Sequence, residues 1–124
     1  MARAIEWAEC ELSVYQRGFL LVRFDFAHNV LIWKDSNRWF NNFVRGLPRE
    51  TMELYKAAVL KFILERSQEE PKLASGTNES IWTLRYGYSD SEAEHSLSGT
   101  DIEAPAWLEL KANIEEAGGR SFKL

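Results

Sequence analysis

The sequence predicts an α+β fold: an antiparallel sheet, in the order β-β-β-β-α-β-β-α, with two helices packed on one face. Three observations predict it. Several short segments alternate apolar and polar residues, as half-buried strands do. Short turns separate them, and short turns join antiparallel strands because parallel pairs need long crossovers. Two later segments carry apolar stripes at helical spacing instead. Helices on the apolar side of such a sheet give a two-layer sandwich.

The elements follow in order. From about Trp7 to Tyr15, Cys10, Leu12 and Val14 alternate with Glu9, Glu11 and Ser13. Arg17-Gly18 makes a turn, because glycine takes positive φ at no steric cost. Phe19 to Ala27 is the second strand, with Leu20, Val22, Phe24 and Phe26 on one face and Arg23 and Asp25 on the other. His28-Asn29 turns the chain into a third strand, Val30 to Lys34, and Asp35-Ser36-Asn37 turns it again. Arg38 to Arg45 is read as a fourth strand. Its residues Trp39, Phe40, Phe43 and Val44 are β-formers, but their spacing also fits a helical turn.

Gly46-Leu47-Pro48 ends that segment, and proline suits the first position of a helix. The helix runs to about Glu65 or Arg66, with Met52, Tyr55, Val59, Phe62 and Ile63 on one stripe. Glu50 and Glu53 favour its positive end, and Lys61 and Arg66 its negative end. Ser67 to Ser80 is polar and broken by Pro71, which predicts an exposed loop. Ile81 to Ser89 and Glu92 to Ser98 make a last hairpin around Asp90-Ser91. The final helix starts near Pro105 and stops at Gly118-Gly119, with Trp107, Leu110, Ile114 and Ala117 facing inward. Phe122 and Leu124 alternate with Ser121 and Lys123 and pack the tail down.

A chain of 124 residues is one domain by size. Five Trp, four Tyr and seven Phe supply enough apolar surface for a compact core. A net charge of -4, with no block of basic residues, disfavours a nucleic-acid partner. Cys10 is the only cysteine, which excludes an internal disulfide and suits a reducing compartment. The first residues include charged side chains where a signal peptide has an apolar run. Phe19 to Phe26 is too short and too charged to span a bilayer. These features predict a cytoplasmic protein with neither membrane nor nucleic-acid partners.

The carboxy-terminal third holds a strand Trp82-Thr83-Leu84-Arg85-Tyr86, then Ser98-Gly99-Thr100, then a helix opened by Pro105 with Trp107 close behind. In this order of features the chain resembles a loose group of small bacterial cytoplasmic α+β proteins. The resemblance implies the fold. That group has no assigned activity, so it implies no catalytic residues.

Candidate chemistry is sparse. A zinc site needs three or four His, Cys or carboxylate ligands. His28 and His95 fall in different hairpins, where His28 serves a turn and His95 sits on a strand face. Cys10, flanked by Glu9 and Glu11, lacks the electropositive setting of a reactive thiol and reads as a core residue. Asp90 with Glu109-Leu110-Lys111 echoes a metal-nuclease pattern. In a helix, however, Glu109 and Lys111 point about 200° apart. Ser75-Gly76-Thr77 and Ser98-Gly99-Thr100 lack the spacing and lysine of a phosphate loop. Glu92 and Glu94 share one side of a strand and read as a solvated face. No catalytic residue, metal site or cofactor is expected.

The aromatics point to an interface. Trp33, Trp39, Phe40, Phe43, Trp82, Tyr86, Tyr88 and Trp107 are more rings than a core this small must hide. Trp82 and Trp107 are assigned to the core. Trp39, Phe40 and Phe43, rimmed by Arg38 and Arg45, are the expected protein-binding patch, since Trp, Tyr and Arg anchor interfaces. The sequence thus predicts a non-enzymatic domain that binds another protein or itself, of the inhibitor, immunity or regulatory kind. The alternative is a small-molecule-binding or enzymatic domain with a pocket between sheet and helices.

Overall fold

The computed structural model describes residues 4–38, 41–67, 80–90, 92–100 and 102–123. The elements come in the predicted order: β1 (Ile5–Val14), β2 (Gly18–Asp25), β3 (Val30–Asp35), β4 (Phe43–Gly46), α1 (Arg49–Ser67), β5 (Ser80–Tyr88), β6 (Glu94–Gly99) and α2 (Pro105–Gly118). The six strands form one sheet in the order β4-β3-β2-β1-β5-β6, and every neighbouring pair is antiparallel. Strands β1 to β4 meander to one side. The excursion through α1 lets β5 return to the free side of β1, so the first strand becomes the centre.

Register explains why one face is greasy. Trp33, Val22, Cys10 and Leu84 lie in one row across β3, β2, β1 and β5. Leu31, Phe24, Ala8 and Tyr86 form a second row, and Leu20, Leu12 and Trp82 a third. All are buried. Because strand side chains alternate, each strand sends every second residue into this layer.

The helices close the layer. The α1 stripe of Met52, Tyr55, Val59, Phe62 and Ile63 is buried, as is the α2 stripe of Trp107, Leu110, Ile114 and Ala117. Phe122 folds the tail back and is fully enclosed, with its N–H donated to Glu115 Oε2 at 2.8 Å. Each such side chain contributes roughly 1.5–3 kcal/mol through burial. Lys61 Nζ of α1 reaches Glu109 Oε1 of α2 at 2.9 Å, and that hydrogen bond raises the ammonium pKa. Pro105 opens α2, and Gly119 closes it in the left-handed conformation at φ 68°.

The fourth strand is shorter than the sequence suggests. It starts at Phe43 rather than Arg38, and Asn41 donates its N–H to the Arg38 carbonyl at 2.8 Å. Trp39, Phe40, the residues 68–79, Ser91 and Leu124 lie outside the described residues, and with them most of the expected loop. Among the described residues, no helix is long and apolar enough to cross a membrane.

Two glycines are contact requirements. A Cβ on Gly118 would come within 2.3 Å of the buried Trp33 ring. On the other side of the sheet, Trp7 lies across Gly87, where a Cβ would sit 2.4 Å from the indole Nε1. We expect Gly118→Ala to cost ~2–3 kcal/mol, because Trp33 has no free space to move into. Gly87→Val should cost less, ~1–2 kcal/mol, since Trp7 sits on the uncovered face and can lift away. Urea unfolding of the two variants tests this ranking, and equal or negligible losses would refute the contact argument.

Candidate functional site

The outer face of the sheet is covered by no described element. Its centre is a charged lattice. Glu9 on β1 accepts from Arg23 on β2 at 3.2 Å and from Arg85 on β5 at 3.1 Å. Arg85 also reaches Glu11 at 3.5 Å. The Arg23 guanidinium covers the Trp7 ring at 4.5 Å from its centroid. Two acids and two bases thus neutralise one another across three strands.

The face changes toward β3 and β4. Ile32 pairs with Val44, so their side chains share the uncovered side, and Val30, opposite Gly46, lies on it too. Val44 is 70% exposed, as exposed as Tyr15 and Leu54 elsewhere on the surface. Strand β4 is also an edge of the sheet, paired only with β3. Such an edge presents unpaired backbone N–H and C=O groups.

The turn leading into β4 is held by side chains. Asp35 Oδ1 accepts the N–H groups of Asn37 at 2.9 Å and Arg38 at 3.2 Å. Asn42 Oδ1 accepts the Asp35 N–H at 2.7 Å, and the Asn37 amide donates to the Arg17 carbonyl. This is the local turn chemistry of Asx residues.

Of the five residues expected to form the patch, Trp39 and Phe40 lie outside the described residues. Arg38 is exposed in the turn. Phe43 and Arg45 are brought together, on the helix side of the sheet. Phe43 is half-buried and stacks on Trp33, with centroids 5.8 Å apart and planes 12° apart. Arg45 lies over Phe43 at 4.8 Å, and Arg120 covers the same ring at 4.7 Å. Arg45 Nη1 also faces the carbonyls of Ala117 and Gly118, both at 3.4 Å. Helix α2 has no basic residue in its last turn, so Arg45 supplies the cation that its negative end favours. Phe43 therefore has an internal role that the surplus-ring argument did not foresee. Among the described residues of this segment, Val44, one residue away, is the apolar side chain that stays exposed. Its alternation with Phe43 was readable only once the segment was known to be a strand.

Lys34, Arg38, Arg45 and Arg49 lie in or directly beside the β3–β4 hairpin, and Arg120 joins them by donating to the Asn41 carbonyl at 3.1 Å. Asp35 and Glu50 are the acids of that stretch. This end of the sheet is therefore basic in a chain whose net charge is -4.

The remaining candidates fall into structural roles. Cys10 is buried, and burial, helped by Glu11, pushes its thiol far above the ordinary value of 9.0. His28 turns the β2–β3 connection, with Nδ1 3.0 Å from Asp25 Oδ2. His95 stacks on Tyr86 at 5.3 Å on the inner face of β6. Glu109 faces α1 rather than Lys111. Among the described residues, no three of His, Cys, Asp and Glu converge as metal ligands would. Compared with known families, the chain matches no family model, and it matches no curated protein.

Two measurements test these assignments. Phe43→Ala should cost ~2 kcal/mol, less than for a fully enclosed ring, because Phe43 is only half-buried. Arg45→Met should cost about 1 kcal/mol through the lost helix end. For Cys10, the folded state holds the thiol proton more tightly than the unfolded chain. Its contribution is intact below pH 9.0 and is lost as pH rises above it. Stability should fall by up to ~1.4 kcal/mol per pH unit there. Cys10→Ala should flatten that decline, leaving the part due to Tyr55, whose phenol is also raised by burial and by Glu116.

Proposed function

We propose that this is a non-enzymatic, cytoplasmic binding domain whose β3–β4 end docks an acidic protein surface. The observation that carries the reading is Val44: an exposed apolar side chain on an open sheet edge, beside Ile32, in a hairpin that also carries Lys34 and Arg38. An apolar anchor surrounded by charge is the usual anatomy of an interface centre and rim. The expected patch residues Arg38, Trp39, Phe40, Phe43 and Arg45 lie in this same stretch of chain. Phe43 and Arg45 then act as the platform under the anchor.

Charge selects the occupant. Two copies of this chain meeting edge to edge through β4 would bring Arg38, Arg45 and Arg49 of each against those of the other. Like charges so placed oppose association. An acidic partner turns the same groups into an attractive rim and gains rate from steering. An inhibitor, immunity or regulatory role would follow from which protein docks there.

The test uses capture from native cell extract with wild type, Val44→Asp, Trp39→Ala and, as a control on the far side, Leu108→Asp. We expect an acidic protein retained by wild type and by Leu108→Asp. It should be lost with Val44→Asp, reduced with Trp39→Ala and weakened in 0.5 M salt, a concentration on the order that screens charges beyond a few ångströms. Equal retention by wild type and Val44→Asp would overturn the reading. So would a dimeric mass for the isolated chain by light scattering that Val44→Asp converts to monomer.

A further inference from the structure

A pocket of about 170 Å³ opens on the helix side of the sheet, away from β4. It lies where the end of β1 meets the start of β5, beneath the first turns of α2 and the folded-back tail. Leu12, Val14, Ile102, Trp107 and Phe122 make its apolar wall, with Ser80 beside them. Its charged lining is Lys111 and Lys123. Among the described residues no carboxylate lines it, and neither lysine has an ion-pair partner. A chain of net charge -4 thus places two free ammonium groups over a greasy floor.

We infer that this pocket binds a small monocarboxylate with a compact apolar body, of about the size of one six-membered ring. Size supports the body: an apolar cavity of about 150 Å³ holds benzene. Charge supports the head, since a carboxylate within reach of two ammonium groups gains charge-assisted hydrogen bonds. The lining also argues against a phosphorylated ligand. Among the described residues it has no arginine, whose planar fork matches phosphate, and lysine offers only a mobile point charge. Trp107 and Phe122 are already enclosed by the core, so the wall is formed before any ligand arrives. This site shares no residue with the β3–β4 end.

The experiment is an amide NMR titration of the full chain with phenylacetate and, separately, with its neutral isostere phenylacetamide. We expect saturable shifts at Val14, Ser80, Ile102, Lys111 and Lys123 with phenylacetate, and binding about tenfold weaker with the amide. Lys111→Met combined with Lys123→Met should weaken phenylacetate about tenfold and leave phenylacetamide unchanged, because the stems remain. Val14→Phe should fill the pocket and abolish both, in a chain whose spectrum stays dispersed. Equal affinity for acid and amide, indifference to the lysine replacements, or no saturable shift at these residues would each overturn the inference. None of these outcomes bears on capture through Val44, so the two proposals fail separately.

Discussion

The two layers are held together by a continuous series of ring contacts, and most other features accommodate it. Trp33 on β3 meets Phe122 of the tail edge to face at 5.8 Å. Phe122 meets Trp107 on α2 at 6.3 Å, and Trp107 stacks on Trp82 of β5 at 5.7 Å. Phe62 of α1 packs its ring against Trp82 at 5.2 Å. Five rings from five separate segments thus span the core. Large flat side chains in offset and edge contacts fill such a layer with few rotamer choices. They therefore set where each helix can sit.

The position of α2 illustrates this. Trp33 must reach under the last turn of that helix, so position 118 has no room for a side chain. Bringing the helix end this close to the sheet also leaves its last carbonyls facing β4. Orphan carbonyls at a helix end need partners, and Arg45 is the nearest cation, itself lying over Phe43. The same ring that orders the core therefore draws two residues of the edge strand inward and leaves Val44 as its outward side chain.

This coupling marks what sequence could reveal. The stripes Met52-Tyr55-Val59-Phe62-Ile63 and Trp107-Leu110-Ile114-Ala117 were legible because helical and strand periodicity are local. The start of β4 was not, since Trp39, Phe40, Phe43 and Val44 satisfy both a helical turn and a strand. Counting aromatics marked Phe43 as a surface ring but gave no sign of its inward role. Its stacking partner Trp33 comes from the adjacent strand, and the cation over it, Arg120, from the far end of the chain. Trp7 lies over Gly87 only because the topology unites distant segments, and Lys111 and Lys123 line one pocket only because the tail folds back. No spacing rule encodes such pairs.

The uncovered face is uneven in what it could offer a partner. At its centre Glu9 and Glu11 already face Arg23 and Arg85, with both Glu9 oxygens engaged. A partner docking there would have to desolvate a satisfied lattice and could offer it little in return. Partly exposed pairs of this kind add only ~0–1 kcal/mol to stability, so their larger effect is on what the surface can accept. Toward β6 the face carries Ser96 and Ser98, small groups with little area to bury. Toward β4 it carries the half-buried Ile32 and the exposed Val44, and along the row Phe19–Ser13–Ile81 it carries two more exposed apolar side chains. Burying apolar surface gains at either place, and not at the charged centre. The β3–β4 end differs from the row of Phe19 and Ile81 in the cations carried by its hairpin, and the proposed docking rests on that difference.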